Sequence, residues 1–539
     1  MSSPDPTPPI NTSDQAEGLS PLAPLRLPAF RMLWTAWLVA NVCMWMNDVA
    51  AAWMMSSLTS TPIWVALVQT AATLPVFLLG LPSGALADML NRKRYLLMTQ
   101  LWVAFVALVL CLFAFFGTLS PPLLLALTFA NGIGLAMRMP VFAAIVPDLV
   151  PRPQLAAALA LNGVAMNTSR IIGPIAAGAL IASAGSAWVF LLNTVLSLLA
   201  AITITRWGYQ HTPDPLGRER LRSAMRVGLQ YVSQSHHLKG VLLRTAIFFL
   251  HTSALLALLA LVARRMEGGT AATFTLLIAS MGCGAVIASL FLPRLRQRYE
   301  RDALVLRSGL LLSAAMLVVA NTTQQWVAAT AMLMCGGAWI SSANALSVSA
   351  QLGLPGWVRA RGMSILQMAV MGSSALGAAL WGQVATMASV PISLSIAAVS
   401  GLILMLIACK LMPDLGLKDD LTPSSIHPPP VAAEPPASGR VMTAVEYNIN
   451  PERAPEFRVV MQESRRSRLR HGALSWELLH DLNVPGRFVE VVIDESWIEH
   501  LRRFHRVTSS DVALQQRKLA FHIGDAPPVV HRYLLESTA

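Results

Sequence analysis

The sequence predicts an all-α membrane protein of twelve helices in two six-helix halves, with a small α+β ferredoxin-like domain appended. Three observations carry this reading. Twelve apolar blocks recur along the chain, cations gather in alternate loops, and the composition changes after Leu411.

The chain of 539 residues is 55% hydrophobic and only 13% charged, with a mean hydropathy of +0.56. A soluble chain carries about 25% charged residues, so a bilayer is the expected solvent. The first six blocks are Leu33–Leu58, Ile63–Leu86, Leu96–Phe116, Leu123–Ile145, Leu155–Ile181 and Trp188–Thr205. The second six are Val241–Val262, Thr273–Leu292, Leu304–Ala320, Val327–Ala350, Met363–Met387 and Ile392–Leu411. Each approaches the roughly 20 residues that cross about 30 Å of hydrocarbon as a helix.

The net charge of +12 does not point to nucleic acid, because of where the cations lie. Arg92, Lys93, Arg94, Arg152, Arg218, Arg220, Arg222, Arg226, Lys239, Arg294, Arg296, Arg298, Arg301, Arg359 and Arg361 follow even-numbered spans. The odd loops carry none, apart from Arg264 and Arg265. Positive loops stay inside, which predicts both termini and the C-terminal domain in the cytoplasm. Residues 1–25, rich in Pro, Ser and Asp, read as a disordered tail without a cleavable signal. Cys43, Cys111, Cys283, Cys335 and Cys409 sit inside spans without ligand-like spacing and read as apolar packers.

The predicted halves cover 26–206 and 241–412. Between them, 207–240 carries Leu221, Met225, Leu229 and Val232 at helical spacing among arginines, which suggests an amphipathic helix on the inner membrane face. A shift of 204 residues sets Gly132 on Gly336, Pro151 on Pro355, Gly173 on Gly377 and Gly178 on Gly382. Six-plus-six parallel repeats are the architecture of a rocking transporter with its site between the halves near midplane.

Residues 413–439 are a Pro-rich spacer that extends rather than folds. In 440–539 the segments read strand, helix, strand, strand, helix, strand, an order that suggests a ferredoxin-like sandwich. The strands are placed at "VMTAVEYNI", "ALSWELLHDL", "RFVEVVIDE" and near "PVVHRYLL", the helices at 451–470 and "SWIEHLRRFHR".

One loop stands out. In "GALADMLNRKR" (84–94), Asp88 ends an apolar run and Arg92, Lys93 and Arg94 follow at once. A carboxylate there can latch one state of a two-state bundle, or simply be a solvated helix end. The stretch resembles the Gly-x-Leu-Ala-Asp-x-x-Gly-Arg-Arg/Lys loop of the major facilitator superfamily, keeping Gly84, Leu86 and Asp88 and departing at Asn91. The counterpart "LFLPRLRQR" keeps Leu292 and Arg298 but sets Arg294 opposite Asp88, so a latch would be asymmetric.

Longer stretches, among them "MPVFAAIVPDLVPRPQLAAALALNGVAMNTSRIIGPIAAGAL" and "QLGLPGWVRARGMS", resemble the enterobactin-exporter-like, or transmembrane secretion effector, branch. The "SWIEHLRRFHRVTSSD" region resembles extensions similar to the antibiotic-biosynthesis-monooxygenase fold, a dimeric α/β barrel. The resemblance implies a bacterial inner-membrane exporter of small molecules such as siderophores or drugs, usually driven by protons. It also implies a possible homodimer through the C-terminal domain.

Inside the spans, Asp48 and Arg170 are costly unless paired or wet. They are expected to pair in one state, either for proton coupling or as a fixed link. His251 is a second proton-coupling candidate or a packing residue. Arg138 would attract an anionic cargo or pair with Asp148. Asn41, Gln69, Asn131, Trp339, Asn344 and Gln367 are cavity candidates or interhelical packers. Gly173, Pro174 and Gly178 resemble an antiporter signature and permit close packing. His480, His500 and His505 lack ligand spacing, so no metal is expected. With no Walker-type loop, neither a nucleotide nor another cofactor is expected. No catalytic constellation is evident, so a transporter is expected rather than an enzyme. Two rivals are a fusion whose tail modifies cargo, with Trp476, Trp497 and His500 as suspects, and a membrane sensor that moves nothing.

Overall fold

The computed structural model describes residues 22–208, 221–413, 439–524 and 526–536, with positions 420, 422 and 424. The predicted tail up to residue 21, most of the Pro-rich spacer and the early part of the linker lie outside the described residues.

The first half holds α1 (Pro28–Leu58), α2 (Pro62–Met89), α3 (Arg92–Phe115), α4 (Pro121–Leu149), α5 (Leu155–Ala184) and α6 (Ser186–Thr205). Prolines at the first turn of α1, α2 and α4 cost no hydrogen bond there and preset the backbone. Gly185, at φ +96, donates back to Leu180 and Ile181 and lets α5 turn into α6 with no intervening loop. The linker forms α7 (Leu221–Gln234). The second half holds α8 (His236–Arg265), α9 (Ala271–Arg298), α10 (Arg301–Asn321), α11 (Gln325–Leu352), α12 (Arg359–Met387) and α13 (Val390–Leu411).

Eleven of these helices are long and apolar enough to cross a membrane among the described residues. The predicted count of twelve is not reached, because α1 is not one of the eleven. Its 31 residues are diluted by Arg31, Asn41, Asn47 and Asp48.

The glycines matched by the 204-residue shift make matching contacts. A Cβ on Gly132 of α4 would stand 2.8 Å from the Ala72 carbonyl of α2, and one on Gly336 of α11 1.8 Å from the Met281 carbonyl of α9. Gly173 of α5 meets Trp45 and Val42 of α1, while Gly377 of α12 meets Leu250 and Ser253 of α8. Gly178 of α5 meets Thr275 of α9, and Gly382 of α12 meets Ala66 of α2. The last two contacts join one half to the other. Each glycine removes the side chain that would hold two helices apart.

By contacts the chain forms two compact units, Met1–Pro213 with Thr245–Asn344 and Gln367–Ile407, and Asp214–Arg244 with Ala345–Leu366 and Ala408–Ala539. In the first, Phe30, Leu33, Trp37, Tyr95, Phe142 and Ile145 form a buried cluster, with Trp37 stacked on Phe142 at 4.0 Å.

The second unit carries β1 (Arg440–Asn448), α14 (Ala454–Arg470), β2 (Ser475–His480), β3 (Arg487–Asp494), α15 (Trp497–His505), α16 (Ser509–Leu519) and β4 (Val529–Leu535). The sheet order is β2-β3-β1-β4, all pairs antiparallel, with Val445 opposite Glu490 and Tyr447 opposite Phe488. Alternate residues of β3, Phe488, Glu490, Val492 and Asp494, are buried. Phe457 and Met461 of α14 pack on Phe488 and Val492, each fully buried side chain contributing about 1.5–3 kcal/mol.

Helix α7 is amphipathic: of the expected stripe Leu229 is 55% exposed and Val232 buried, and Val227 and Tyr231 are buried besides. Tyr231 and Val232 join Leu238, Leu354 and Val358 in a cluster, and Gly472 sits against Val227. Val227 and Tyr231 lie outside the expected stripe because their partners come from distant segments of the chain.

Candidate functional site

Polar side chains inside α1, α3, α4 and α6 form a connected set. Arg138, 3% exposed, donates to Gln100 at 3.4 Å and lies 5.3 Å over the Trp37 ring. Gln100 donates to the Ser197 carbonyl, Ser197 to Asn193 at 3.2 Å, and Asn193 to Asn47 at 3.4 Å. Arg138, Asn131 and Asn193 line a narrow cleft with Ala40 and Met44. The expected partner of Arg138, Asp148, has its side chain outside the described residues. Gln100, Asn193, Asn47 and Ser197 were not foreseen, since isolated polar residues in apolar helices do not announce their partners.

A second narrow cleft holds Asp48 and Gln69 among Ala52, Val65, Val68 and Ala72. Leu256 and Ala257 of α8 close it, so both halves contribute. No ion pair joins Asp48 to Arg170 among the described residues. Arg170 instead lies 4.5 Å over the Trp339 ring and 5.7 Å over that of Trp45. Gly173, one turn on from Arg170, allows this by bringing α5 against Trp45.

The other candidates scatter. His251 donates from Nδ1 to the Ile247 carbonyl at 2.7 Å and packs on Trp381 with Gly401 beneath. Asn41 donates to Trp37 O at 2.9 Å. The Oδ1 atoms of Asn41, Asn131 and Asn344 are buried without a protein partner. Trp339 meets Phe249 edge-on at 5.9 Å. Gln367 is partly buried on α12, and Pro174 lies within α5.

In the 84–94 loop, α2 runs through Gly84, Leu86 and Asp88 to Met89, though the side-chain positions of Gly84 and Asp88 lie outside the described residues. Asn91, where the resemblance has glycine, caps α3 by accepting from the Arg94 N–H at 3.2 Å. Lys93 donates to the carbonyls of Thr205 and Trp207, closing the C-terminus of α6. Arg92 and Arg94 flank it on the first turn of α3. Arg264, an exception to the charge pattern, donates to Ser56 at 2.9 Å and lies 4.6 Å over Trp53. Arg265 donates to the Ala320 carbonyl at 2.6 Å.

An apolar cluster and a charged cluster lie between sheet and helices in the C-terminal unit. Glu490 accepts from Ser464 (2.7 Å), Trp476 (2.9 Å), Lys518 (3.1 Å) and Tyr447 (3.3 Å), with Arg468 at 3.5 Å. Burial alone would raise the Glu490 carboxyl, but Lys518 and Arg468 outweigh it and hold it well below the usual carboxylate range. His500 is buried against Asp494 at 2.7 Å, and Trp497 stacks on His500. His480 stacks on Phe488, and His505 ends α15. The three suspected enzymatic side chains therefore serve packing and the charged core.

The His471–Ala473 turn receives Arg506 on the His471 carbonyl (2.8 Å), Arg226 on that of Gly472 (3.3 Å) and Gln230 on that of Ala473 (3.2 Å). Arg506 also lies 5.0 Å over Trp357. Burial pushes the His471 imidazole down, against the opposite pull of Asp511 at 3.4 Å. The unfolded chain therefore binds the extra proton first, so the stability held above about pH 6.5 is lost as pH falls towards the folded value. Amide exchange at Gly472, Ala473 and 353–361, corrected for intrinsic rate, should accelerate between pH 7 and pH 5 by up to about tenfold per unit. His471→Gln should flatten that profile.

Long apolar helices joined by repeat-related glycines around buried mid-helix polar groups define a multi-span helical membrane protein built from two related halves. Solved structures share the fold. A bacterial homologue of the human lysosomal transporter Spinster, inward-facing and unoccupied, superimposes with a TM-score of 0.56 at 15% identity, over 71% of this chain and 96% of that one. A D-xylose–proton symporter gives 0.55 at 13% identity, over 71% and 98%.

The family model described as transmembrane secretion effector matches residues 19–539, and the chain belongs to that family. It is 22% identical to a staphyloferrin A transporter of Staphylococcus aureus over 46% of this chain, spanning 63% of that protein's length. It is 25% identical to an enterobactin exporter of Escherichia coli over 59% of this chain and 76% of the exporter. A macrolide efflux protein of Streptococcus pyogenes matches at 22% over 55% of this chain and 73% of its own length. These relatives are transporters, not enzymes.

Proposed function

We propose that the protein exports a small siderophore- or drug-like molecule from the bacterial cytoplasm across the inner membrane by proton-coupled alternating access. The observation that carries the reading is the Asp48 cleft. A carboxylate in mid-membrane surroundings, walled by helices of both halves, changes its charge and its packing together when it takes a proton. Asp48 lies one turn from Trp45, the ring beneath Arg170, so a shift of about 5.4 Å would pair the two in the opposite state. His251 is a secondary candidate at the same depth.

In this reading there are twelve spans, α1 included, with both termini inside. The Gly178–Thr275 and Gly382–Ala66 contacts then close the outer mouth, and the Asp88 loop latches the inner one after rocking. Asn41, Gln69, Asn131, Arg138, Trp339, Asn344 and Gln367 belong to the cargo path. The relatives' names, enterobactin exporter and macrolide efflux protein, favour export and a small-molecule cargo. The C-terminal unit is a cytoplasmic ferredoxin-like module. Its β4 edge leaves Val529, Tyr533 and Leu535 about half exposed, which suits pairing with a second copy.

Inverted membrane vesicles test the coupling with radiolabelled enterobactin and a macrolide. Accumulation should require an imposed proton gradient. Asp48→Asn should lower it by about tenfold or more at unchanged membrane level, because the variant cannot cycle its charge. Undiminished gradient-driven accumulation by Asp48→Asn would remove the assigned role.

A further inference from the structure

Two indole rings meet one cation at the middle of the helical bundle. Trp45, Arg170 and Trp339 each occupy the middle turn of their helices, α1, α5 and α11. Phe249, midway along α8, braces Trp339 from the side. Arg170 carries its guanidinium over both indoles, and its Nε is buried without a protein acceptor. The indole N–H of Trp45 is likewise buried and without one. Two buried donors, one of them charged, thus lie beside the same ring with no acceptor among the described residues.

Such donors are costly in a low-dielectric interior unless an acceptor is supplied. The expected internal acceptor, Asp48, faces the neighbouring cleft with Gln69 instead. The indole faces hold the guanidinium plane but offer no lone pair. What the place lacks is an anion, and what it offers beside the cation is flat aromatic surface.

The geometry points to a cargo subsite at Arg170, Trp45 and Trp339 that takes an anionic group on an aromatic ring, such as an aryl carboxylate. The anion accepts from Arg170 and from the Trp45 N–H, and the aryl ring lies against Trp339. Its place, between a helix pair of the first half and α11 of the second, is where a rocking motion would make and break the grip. This rests on the transport reading and names the chemistry of its cargo. It also gives Arg170 alternate partners, the cargo anion in this state and Asp48 in the other.

Full-length purified protein in detergent, without any proton gradient, tests the subsite by calorimetric titration. The probes are salicylate, its neutral isostere salicylamide, and the cation tyramine. Salicylate should bind about tenfold more tightly than salicylamide, and tyramine more weakly than either. Arg170→Gln should abolish the preference for the anion, Arg170→Lys should keep part of it, and Trp339→Leu should weaken both aryl probes alike. Photolabelling of the unsubstituted protein with 4-azidosalicylate should mark peptides containing Trp45, Arg170 or Trp339, which needs no variant to fold. Equal affinity for salicylate and salicylamide, no salicylate binding, an anion preference that survives in Arg170→Gln, or labelling confined to other peptides would each overturn the assignment. Loss of proton-driven flux with the anion preference intact would instead sink the coupling reading alone.

Discussion

Replacing Glu490 by Gln is expected to destabilise the C-terminal unit by about 3–5 kcal/mol, because it leaves the buried Lys518 and the partly buried Arg468 without their carboxylate. Five groups converge on this side chain, and the amide can neither balance the two cations nor accept from every donor. For a domain of this size the loss corresponds to a fall in melting temperature of about 15 °C or more. Hydrogen exchange of β1 and β3 amides in the full-length protein measures it, since both strands pair through Val445 and Glu490. A change below about 1 kcal/mol would mean that water already solvates the cluster.

Gly178→Ala should stop the two halves from closing at the Thr275 contact. The added Cβ would stand 1.8 Å from the Thr275 hydroxyl and 2.2 Å from its methyl, far inside van der Waals contact. Either α5 or α9 must retreat, which disfavours the state in which they touch. Cargo flux should fall by about tenfold, and a cysteine placed at Ser56 should react faster with a membrane-impermeant thiol reagent. Thr275→Gly in the same protein should restore both, because it removes the clashing atoms rather than the motion. Gly382→Ala, facing Ala66 at 2.4 Å, should behave as the pseudo-symmetric counterpart.

What the sequence made legible follows from how each signal is encoded. Apolar blocks mark helices directly, and all twelve stretches are helical, with ends extended beyond the blocks wherever Pro or Asn supplies a cap. The repeat was visible through glycines because close helix crossings tolerate no side chain, and those same positions now mark the crossings. Helix α16 was overlooked, although Thr508 and Asp511 spell a capping box at its start. Partner choice was the harder problem. Asp48 and Arg170 share a depth but take different neighbours, which depends on helix rotation that spacing alone does not fix. Arg264 looked like an anomaly of charge placement, yet it bonds Ser56 across the two halves. The apolar spacing of the linker marks a helix, but its packing partners Leu354, Val358 and the turn at Gly472 come from distant chain segments that spacing does not reveal.

Reversible crosslinking between Ala66→Cys and Gly382→Cys, with the five native cysteines replaced by alanine, tests the two-half motion most directly. The two positions face each other across α2 and α12, one from each half. Oxidation should join them and bring cargo flux to background, and reduction should restore it. A fully crosslinked transporter that still moves cargo at its reduced rate would contradict the account.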